Sequence, residues 1–244
     1  MKKYLIFVII FVIIVLGALG YKLINPKTEI TMLEKNLDYN PATSSEEPAE
    51  GRREAGGLES HSPKGERAPN KKIVMITAFK DFRDEEYFVP REILETAGAE
   101  VKTASNQKGT AIGADGGEVE VDLLVSEVNS ANFDAVIFIG GPGCLTNLDN
   151  EESYRIAQEA VSKNKTIAAI CISPTILAKA GVLQGKKTTV WSSPMDKGPV
   201  KILEDNGAIY EDKPVVVDGK IITGNGPAAA EEFGEAIVEV LTGK

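Results

Sequence analysis

The residue most capable of chemistry in this sequence is Cys171, one of two cysteines in 244 residues. It follows the apolar run TIAAI and shortly precedes Pro174, so it lies between a predicted buried strand and a predicted helix. A thiol in such a turn faces the positive end of the helix dipole, which favours the nucleophilic thiolate. An inert cysteine at a strand end fits the same pattern, because cysteine is also a common small core residue.

A glycine-rich turn, Gly140-Gly141-Pro142-Gly143, ends the apolar run FDAVIFI. Its backbone N–H groups are candidates to bind an oxyanion formed beside the Cys171 sulfur, although an ordinary tight connection fits equally. The spacing matches neither the dinucleotide nor the phosphate-binding glycine motifs, so we expect no nucleotide cofactor. Cys144 follows the turn and is either a resolving thiol on the same rim as Cys171 or, as we favour, a plain rim or core thiol.

Three carboxylates, Asp84, Glu85 and Glu86, begin a predicted helix that ends near Gly98. Carboxylates in the first turn are favoured by the helix dipole and usually face solvent. Glu86 differs because Pro90 lies four residues further on and is expected to kink the helix, turning one carboxylate inward over the strand ends. A buried glutamate near a thiol can hold or donate a proton.

Composition excludes several classes of function. The net charge is −9, and the basic residues form no stripe alternating with aromatic residues, so we expect no nucleic-acid partner. Two cysteines are too few for a disulfide framework, and two sulfurs with one carboxylate are too few ligands for a metal site. Trp191 and Tyr87 fit either a pocket wall or the core.

The N-terminal part of the chain differs sharply from the rest. Lys2 and Lys3 precede an apolar run from Tyr4 to Tyr21, roughly 18 residues, which is near the lower limit for a transmembrane helix. We therefore predict a membrane anchor in residues 1–25, a disordered acidic linker in 26–70 and one domain in 71–244. The alternative for the first segment is a cleaved signal peptide that releases a secreted protein. Positive charge before the span places the domain outside the cytoplasm.

Strands alternate with helices through residues 71–244, which predicts an α/β fold with a mostly parallel sheet covered on both faces. Buried strands are expected at the runs IVMITAF, FDAVIFI and TIAAI, with a hairpin at VVVDGKIIT and a closing helix at AAAEEFGEAIVEVL. Ligands of such folds lie at the carboxyl ends of the strands. Gly140 and Cys171 both fall there.

Taken together, these segments resemble the DJ-1/PfpI family of the class I glutamine amidotransferase-like superfamily. The resemblance covers about residues 71–244 and rests on KKIVMITA, EEYFVPREILETAG, VIFIGGPG, AAICISPTILAKAGVLQGKK and DGKIITGNGPAAAEEFGEAIVEVL. It implies a flavodoxin-like three-layer sandwich and a homo-oligomer. It also implies that Cys171 is the elbow nucleophile, Glu86 its carboxylic partner, and the backbone N–H groups of Gly141 and Ile172 the oxyanion contacts.

The chain departs from the protease-like members of that family, which have a histidine directly after the cysteine. Ile172 occupies that position, and the only histidine, His61, lies in the predicted linker. Peptide hydrolysis would lack an imidazole to protonate the leaving amine, so peptidase or amidase activity is disfavoured.

Two functions fit these residues. The first is an enzyme acting on small reactive carbonyls, glyoxalase III-like or deglycase-like, in which Cys171 adds to the aldehyde and Glu86 moves the proton. The second is a non-enzymatic redox sensor or protective protein that uses oxidation of Cys171. The expected partner is accordingly a small carbonyl compound or an oxidant, and neither function requires a cofactor.

Overall fold

The computed structural model describes residues 67–243. The predicted anchor and almost all of the predicted linker lie outside these residues, as does His61. Within residues 67–243 no helix is both long and apolar enough to cross a bilayer. Ala68, assigned above to the linker, is buried, and its N–H donates to the carbonyl of Ala97. The ordered domain therefore begins slightly before Lys71.

A seven-stranded sheet forms the centre of the domain, in the order β11-β12-β8-β7-β1-β3-β6. Only β11 is antiparallel to its neighbour, so the prediction of a mostly parallel sheet is confirmed. The strands in chain order are β1 (Lys72–Thr77), β2 (Lys80–Phe82), β3 (Glu100–Ser105), β4 (Thr110–Gly113), β5 (Glu118–Glu120), β6 (Leu123–Leu124), β7 (Ala135–Phe138), β8 (Thr166–Ile170), β9 (Lys187–Thr188), β10 (Ile209–Tyr210), β11 (Val215–Asp218) and β12 (Ile221–Gly224).

Helices cover both faces of this sheet. In chain order they are α1 (Asp84–Thr96), α2 (Cys144–Leu148), α3 (Glu151–Ser162), α4 (Pro174–Lys179), α5 (Gly198–Asp205) and α6 (Ala230–Thr242). The Asn150 side chain accepts a hydrogen bond from the N–H of Ser153 and so caps α3. Three short 3₁₀ segments complete the connections, at Val125–Glu127, Ser130–Asn132 and Pro227–Ala229.

Alternate residues of the central strands enter two separate cores, because successive side chains of a strand point to opposite faces. One core packs strand residues against α3 and α4 and includes Val74, Ile76, Val136, Phe138, Ile167, Ala169, Ile156, Ala160, Ile176 and Leu177. The other packs them against α1 and α6 and includes Ile73, Met75, Ile137, Ala168, Ile170, Tyr87, Leu94, Phe233 and Ile237. The domain is thus a three-layer α/β sandwich.

Two small sheets lie at the periphery of the domain. The glycine-rich turns around Gly109 and Gly116 predict a peripheral hairpin with a short strand near Glu118, and β4 and β5 form it. Strand β2 pairs in parallel with β4 and extends this hairpin to three strands. Strands β9 and β10 form the second sheet. All five strands have two to four residues, which is too short to show a clear periodic pattern.

Helices α1 and α6 pack closely at Gly234. A Cβ atom at that position would lie 2.9 Å from Ile93 Cδ1 and 3.1 Å from Pro90 Cα. Because Pro90 Cα belongs to the backbone, it cannot move aside by a side-chain rotation. This contact fixes the distance between the two helices.

We expect Gly234→Val to lower the free energy of unfolding by about 1–3 kcal/mol, because the added methyl groups overpack the α1–α6 contact. The measurement is urea unfolding followed by circular dichroism. Glu232→Val places the same residue on the exposed side of α6 and is the matched control. Equal stability of the two variants would contradict the tight contact.

Candidate active site

Cys171 lies at a sharp turn between β8 and α4. Its φ is +66°, in the left-handed region that residues with a side chain rarely adopt. Two backbone hydrogen bonds hold it there: its N–H donates to the carbonyl of Gly224 at 2.9 Å, and its carbonyl accepts from the N–H of Trp191 at 2.8 Å. The turn therefore has the strained geometry of an elbow, although it lacks the flanking glycines of the hydrolase form.

Ser173 anchors this turn, a role that the sequence analysis missed. Its buried Oγ accepts from the N–H of Ile170 at 3.0 Å. Its single proton has two acceptors at 2.8 Å, the carbonyls of Phe138 and Ile170. The hydroxyl thus joins the carboxyl ends of β7 and β8. The only sequence signal was a serine directly before Pro174, which reads as an ordinary helix start.

Glu86 is fully buried in the first turn of α1, whereas Glu85 is exposed and Asp84 is half-buried. Glu86 Oε2 accepts a hydrogen bond from the N–H of Gly140 at 3.1 Å. Oε1 has no hydrogen-bond partner among the described residues, and the carboxyl group as a whole lies beside the Cys171 thiol. Helix α1 continues without interruption through Pro90. Burial of Glu86 and its contact with Gly140 show the inward orientation that was expected, although Pro90 does not break the helix.

The glycine turn controls how closely the carboxyl group and the sulfur approach. A Cβ on Gly140 would lie 2.6 Å from Cys171 Cβ and 2.7 Å from Glu86 Oε2, so no side chain fits between them. Gly141 has φ +109°, and a Cβ there would lie 2.4 Å from the backbone nitrogen of Arg83. Both positions thus require glycine.

Burial is the largest influence on both titrating groups. It raises the pKa of Glu86 from 4.5 to about 7, against the lowering effects of the Cys171 thiol, the Gly140 N–H and the Arg83 charge. Burial, together with the nearby Glu86 charge, raises the pKa of the Cys171 thiol to about 12. The N–H groups of Gly141 and Ile172 oppose this shift, as expected for groups that stabilise negative charge at this position.

The position of Cys171 before a helix was expected to favour the thiolate, whereas burial and the adjacent Glu86 raise the pKa of its thiol. Helix α4 has only six residues. Glu86 and Cys171 instead titrate as a pair, because each negative charge opposes the other. Loss of one proton leaves a single charge, and the lower pKa of Glu86 places it mainly on the Glu86 carboxylate. Transfer of the thiol proton to that carboxylate gives a neutral carboxyl group beside a Cys171 thiolate.

The remaining candidate residues separate into core and rim. Cys144 is completely buried, and burial raises the pKa of its thiol, so it does not lie on an accessible rim beside Cys171. Tyr87 is also fully buried, and its hydroxyl hydrogen-bonds with Thr103. The Trp191 side chain is 38% exposed, and its N–H donates to the carbonyl of Cys171. Of Cys144, Tyr87 and Trp191, only Trp191 is exposed enough to contact a ligand.

The position after the nucleophile carries no proton-transfer group. The Ile172 side chain is half-buried and packs against the core formed with α3 and α4, while its N–H faces the Cys171 sulfur. Across residues 67–243 the chain has no histidine. Glu86 is the titratable carboxyl group that the structure places beside the Cys171 sulfur.

We expect the stability of the protein to fall as pH rises from about 4.5 to about 7, and the Glu86→Gln variant to lack this dependence. Over this range the folded state binds more protons than the unfolded state, since the pKa of Glu86 is raised on folding to about 7. The contribution is complete below the unfolded pKa and amounts to about 3 kcal/mol at most.

Urea unfolding of both proteins at pH 5 and pH 8 measures this difference. Other titrating groups are common to the two proteins and cancel in the comparison. A stability difference between wild type and Glu86→Gln that is the same at both pH values would contradict the raised pKa.

Comparison with known proteins identifies the family to which this domain is similar. The model of the DJ-1/PfpI family matches residues 71–240. A deglycase of Pyrococcus horikoshii is 35% identical over 170 residues, which are 70% of this chain and 99% of that protein. A glutathione-independent glyoxalase of Caenorhabditis elegans is 29% identical over 178 residues, 72% of this chain and 91% of that protein.

Among solved structures, a ThiJ/PfpI domain protein from Brachyspira murdochii is similar, with a TM-score of 0.68 and 34% identity. The similarity covers 72% of this chain and 99% of that chain. The family model, the relatives and the shared fold all fall on the domain that contains Glu86 and Cys171. The chain therefore belongs to the DJ-1/PfpI family.

Proposed function

We propose that this protein is a cysteine-dependent enzyme that converts small reactive carbonyl compounds through Cys171 and Glu86, in a glyoxalase-like or deglycase-like reaction. The observation that carries the proposal is a fully buried Glu86 carboxyl group that lies beside the half-buried thiol of Cys171, a residue with a strained backbone. Burial of a carboxyl group without a salt-bridge partner destabilises a fold, and buried groups with shifted pKa values are concentrated at sites that transfer protons. The similarity to a deglycase and a glyoxalase supports the same reaction class.

Addition to an aldehyde uses the singly charged state of the pair. The thiolate sulfur attacks the carbonyl carbon, a C–S bond forms, and the π electrons move to oxygen. The Glu86 proton is then transferred to this oxygen, which gives a hemithioacetal and a Glu86 carboxylate. During the attack, the N–H groups of Gly141 and Ile172 are the donors available to the developing negative charge. Within residues 67–243 neither N–H donates to another protein oxygen.

Completion of a glyoxalase reaction requires one water molecule and no outside oxidant. In an α-oxoaldehyde, the hydrogen on the former aldehyde carbon moves to the adjacent carbonyl carbon, and the hemithioacetal becomes a 2-hydroxy thioester. Water then hydrolyses the thioester, which releases a 2-hydroxy acid and restores the thiol. The Glu86 carboxylate is positioned to take and return the proton in these steps.

The same arrangement argues against peptide hydrolysis. An amine leaving group must be protonated as the C–N bond breaks, commonly by an imidazole beside the nucleophile. Ile172 occupies the neighbouring position and packs into the core instead. An aldehyde needs no leaving group in the addition step, so a single carboxyl is sufficient.

A second candidate function is redox sensing by Cys171. The half-buried sulfur has one protonatable carboxyl and two backbone N–H groups around it, which are donors suited to a sulfenate or sulfinate oxygen. Cys144 is buried, so oxidation would stop at an oxyacid of Cys171 and would not continue to a disulfide on an exposed rim.

We expect Cys171→Ser to abolish methylglyoxal consumption and Glu86→Gln to reduce it by at least 100-fold, in line with the usual contribution of general acid–base catalysis. Cys144→Ala removes the other thiol and is the matched control, with melting curves to verify folding. Consumption by wild type that persists in Cys171→Ser would overturn the proposal. Intact-mass spectrometry with graded peroxide tests the alternative, because oxygen addition at Cys171 without methylglyoxal consumption would favour the sensor.

The pH dependence offers a separate test of the shared proton. Activity should rise with a midpoint near pH 7, because the pair must lose one proton and the raised pKa of Glu86, about 7, sets that step. In Glu86→Gln this rise should disappear, and the pH dependence of the residual rate should follow ionisation of the Cys171 thiol alone. An identical midpoint in both proteins, measured from kcat/KM between pH 5 and pH 9, would assign the ionisation to another group.

A further inference from the structure

Four neighbouring strands, β12, β8, β7 and β1, begin at the edge of the sheet opposite Cys171. The residues directly before these strands are Lys220, Lys165, Asp134 and Lys71. Parallel pairing places all four beside one another along this edge. Three of the four positions thus carry a positive charge.

These residues line a cavity of about 260 Å³, here called the amino-edge cavity. Lys163, from the end of α3, is a fourth lysine in its wall, and Leu241, from the last turn of α6, gives the wall an apolar part. Asp134 is the one acidic residue in the lining, and its carboxylate already accepts the N–H of Lys72 at 2.9 Å. Four lysines therefore surround one cavity in a chain whose net charge is −9.

Two of these four lysines have a local interaction partner. Lys163 is 3.5 Å from Glu159 and lies at the end of α3, where positive charge is favoured. Lys220 Nζ donates to the carbonyl of Asn164 at 2.7 Å. Lys71 and Lys165 are half-buried and have no carboxylate within salt-bridge distance among residues 67–243. Lysine charges that have no carboxylate partner and lie around one concave surface favour the binding of an anion.

We propose that the amino-edge cavity binds a small, multiply charged anion of the organic phosphate or diphosphate class. Lys71 and Lys165 are the principal contacts, with Lys163 and Lys220 at the sides. The apolar wall at Leu241 suits a ligand that also carries a carbon skeleton. Because the cavity is at the opposite edge of the sheet from Cys171, this site is separate from the proposed carbonyl chemistry and does not depend on it.

Titration calorimetry of the full-length protein with inorganic pyrophosphate tests the proposal. Lys71→Gln/Lys165→Gln should weaken binding by about tenfold or more, since it removes both unpaired charges. Lys102→Gln/Lys201→Gln gives the same change in net charge at exposed positions outside the cavity and should bind like wild type. Melting curves verify that each variant is folded.

Three outcomes would overturn the proposal: wild type that does not bind pyrophosphate, equal weakening in both double variants, or no weakening in the cavity variant. A phospholipid headgroup presents the same phosphate chemistry. Sedimentation with vesicles of phosphatidylcholine, with and without phosphatidylglycerol, separates these sources. Binding to anionic vesicles that depends on Lys71 and Lys165, without pyrophosphate binding, would replace a small soluble anion by a lipid surface and overturn the proposal.

Discussion

The site depends on one electrostatic constraint, which is that a carboxyl group and a thiol share a buried space that tolerates a single negative charge. Burial raises the pKa of both Glu86 and Cys171, and the charge of either group opposes ionisation of the other. The Gly140 N–H fixes one carboxyl oxygen, and the carboxyl group lies beside the sulfur. In the proposed reaction, this carboxyl group supplies the proton to the carbonyl oxygen.

The central sheet brings these residues together although they are far apart in sequence. Strands β7 and β8 are parallel neighbours, so Gly140 and Cys171 follow them at one edge, and the N-terminal turn of α1 places Glu86 over the same edge. Ser173 joins the two strand ends through its hydroxyl group. The geometry of the pair is consequently set by backbone and by buried hydrogen bonds, with little dependence on the surface loops.

Most of this arrangement could be predicted from sequence, because buried parallel strands form continuous apolar runs and helices have a distinct period. The strand TIAAI matches β8 residue for residue, and Glu86 and Cys171 were both identified. The anchoring role of Ser173 was missed because its partner Phe138 is distant in sequence. The choice between rim and core was left open for Cys144, and the raised pKa of Cys171 was not predicted, since each depends on neighbours from several elements.

The left-handed backbone of Cys171 has an evolutionary consequence. A residue with a side chain at φ +66° costs on the order of 1 kcal/mol or more relative to glycine, which adopts this conformation freely. If selection acted only on stability, glycine would be favoured at this position. Retention of the cysteine therefore requires selection for its thiol, because the backbone conformation favours glycine. Descendants of this chain that abandon the chemistry should reveal it first by a small, unreactive residue at this turn.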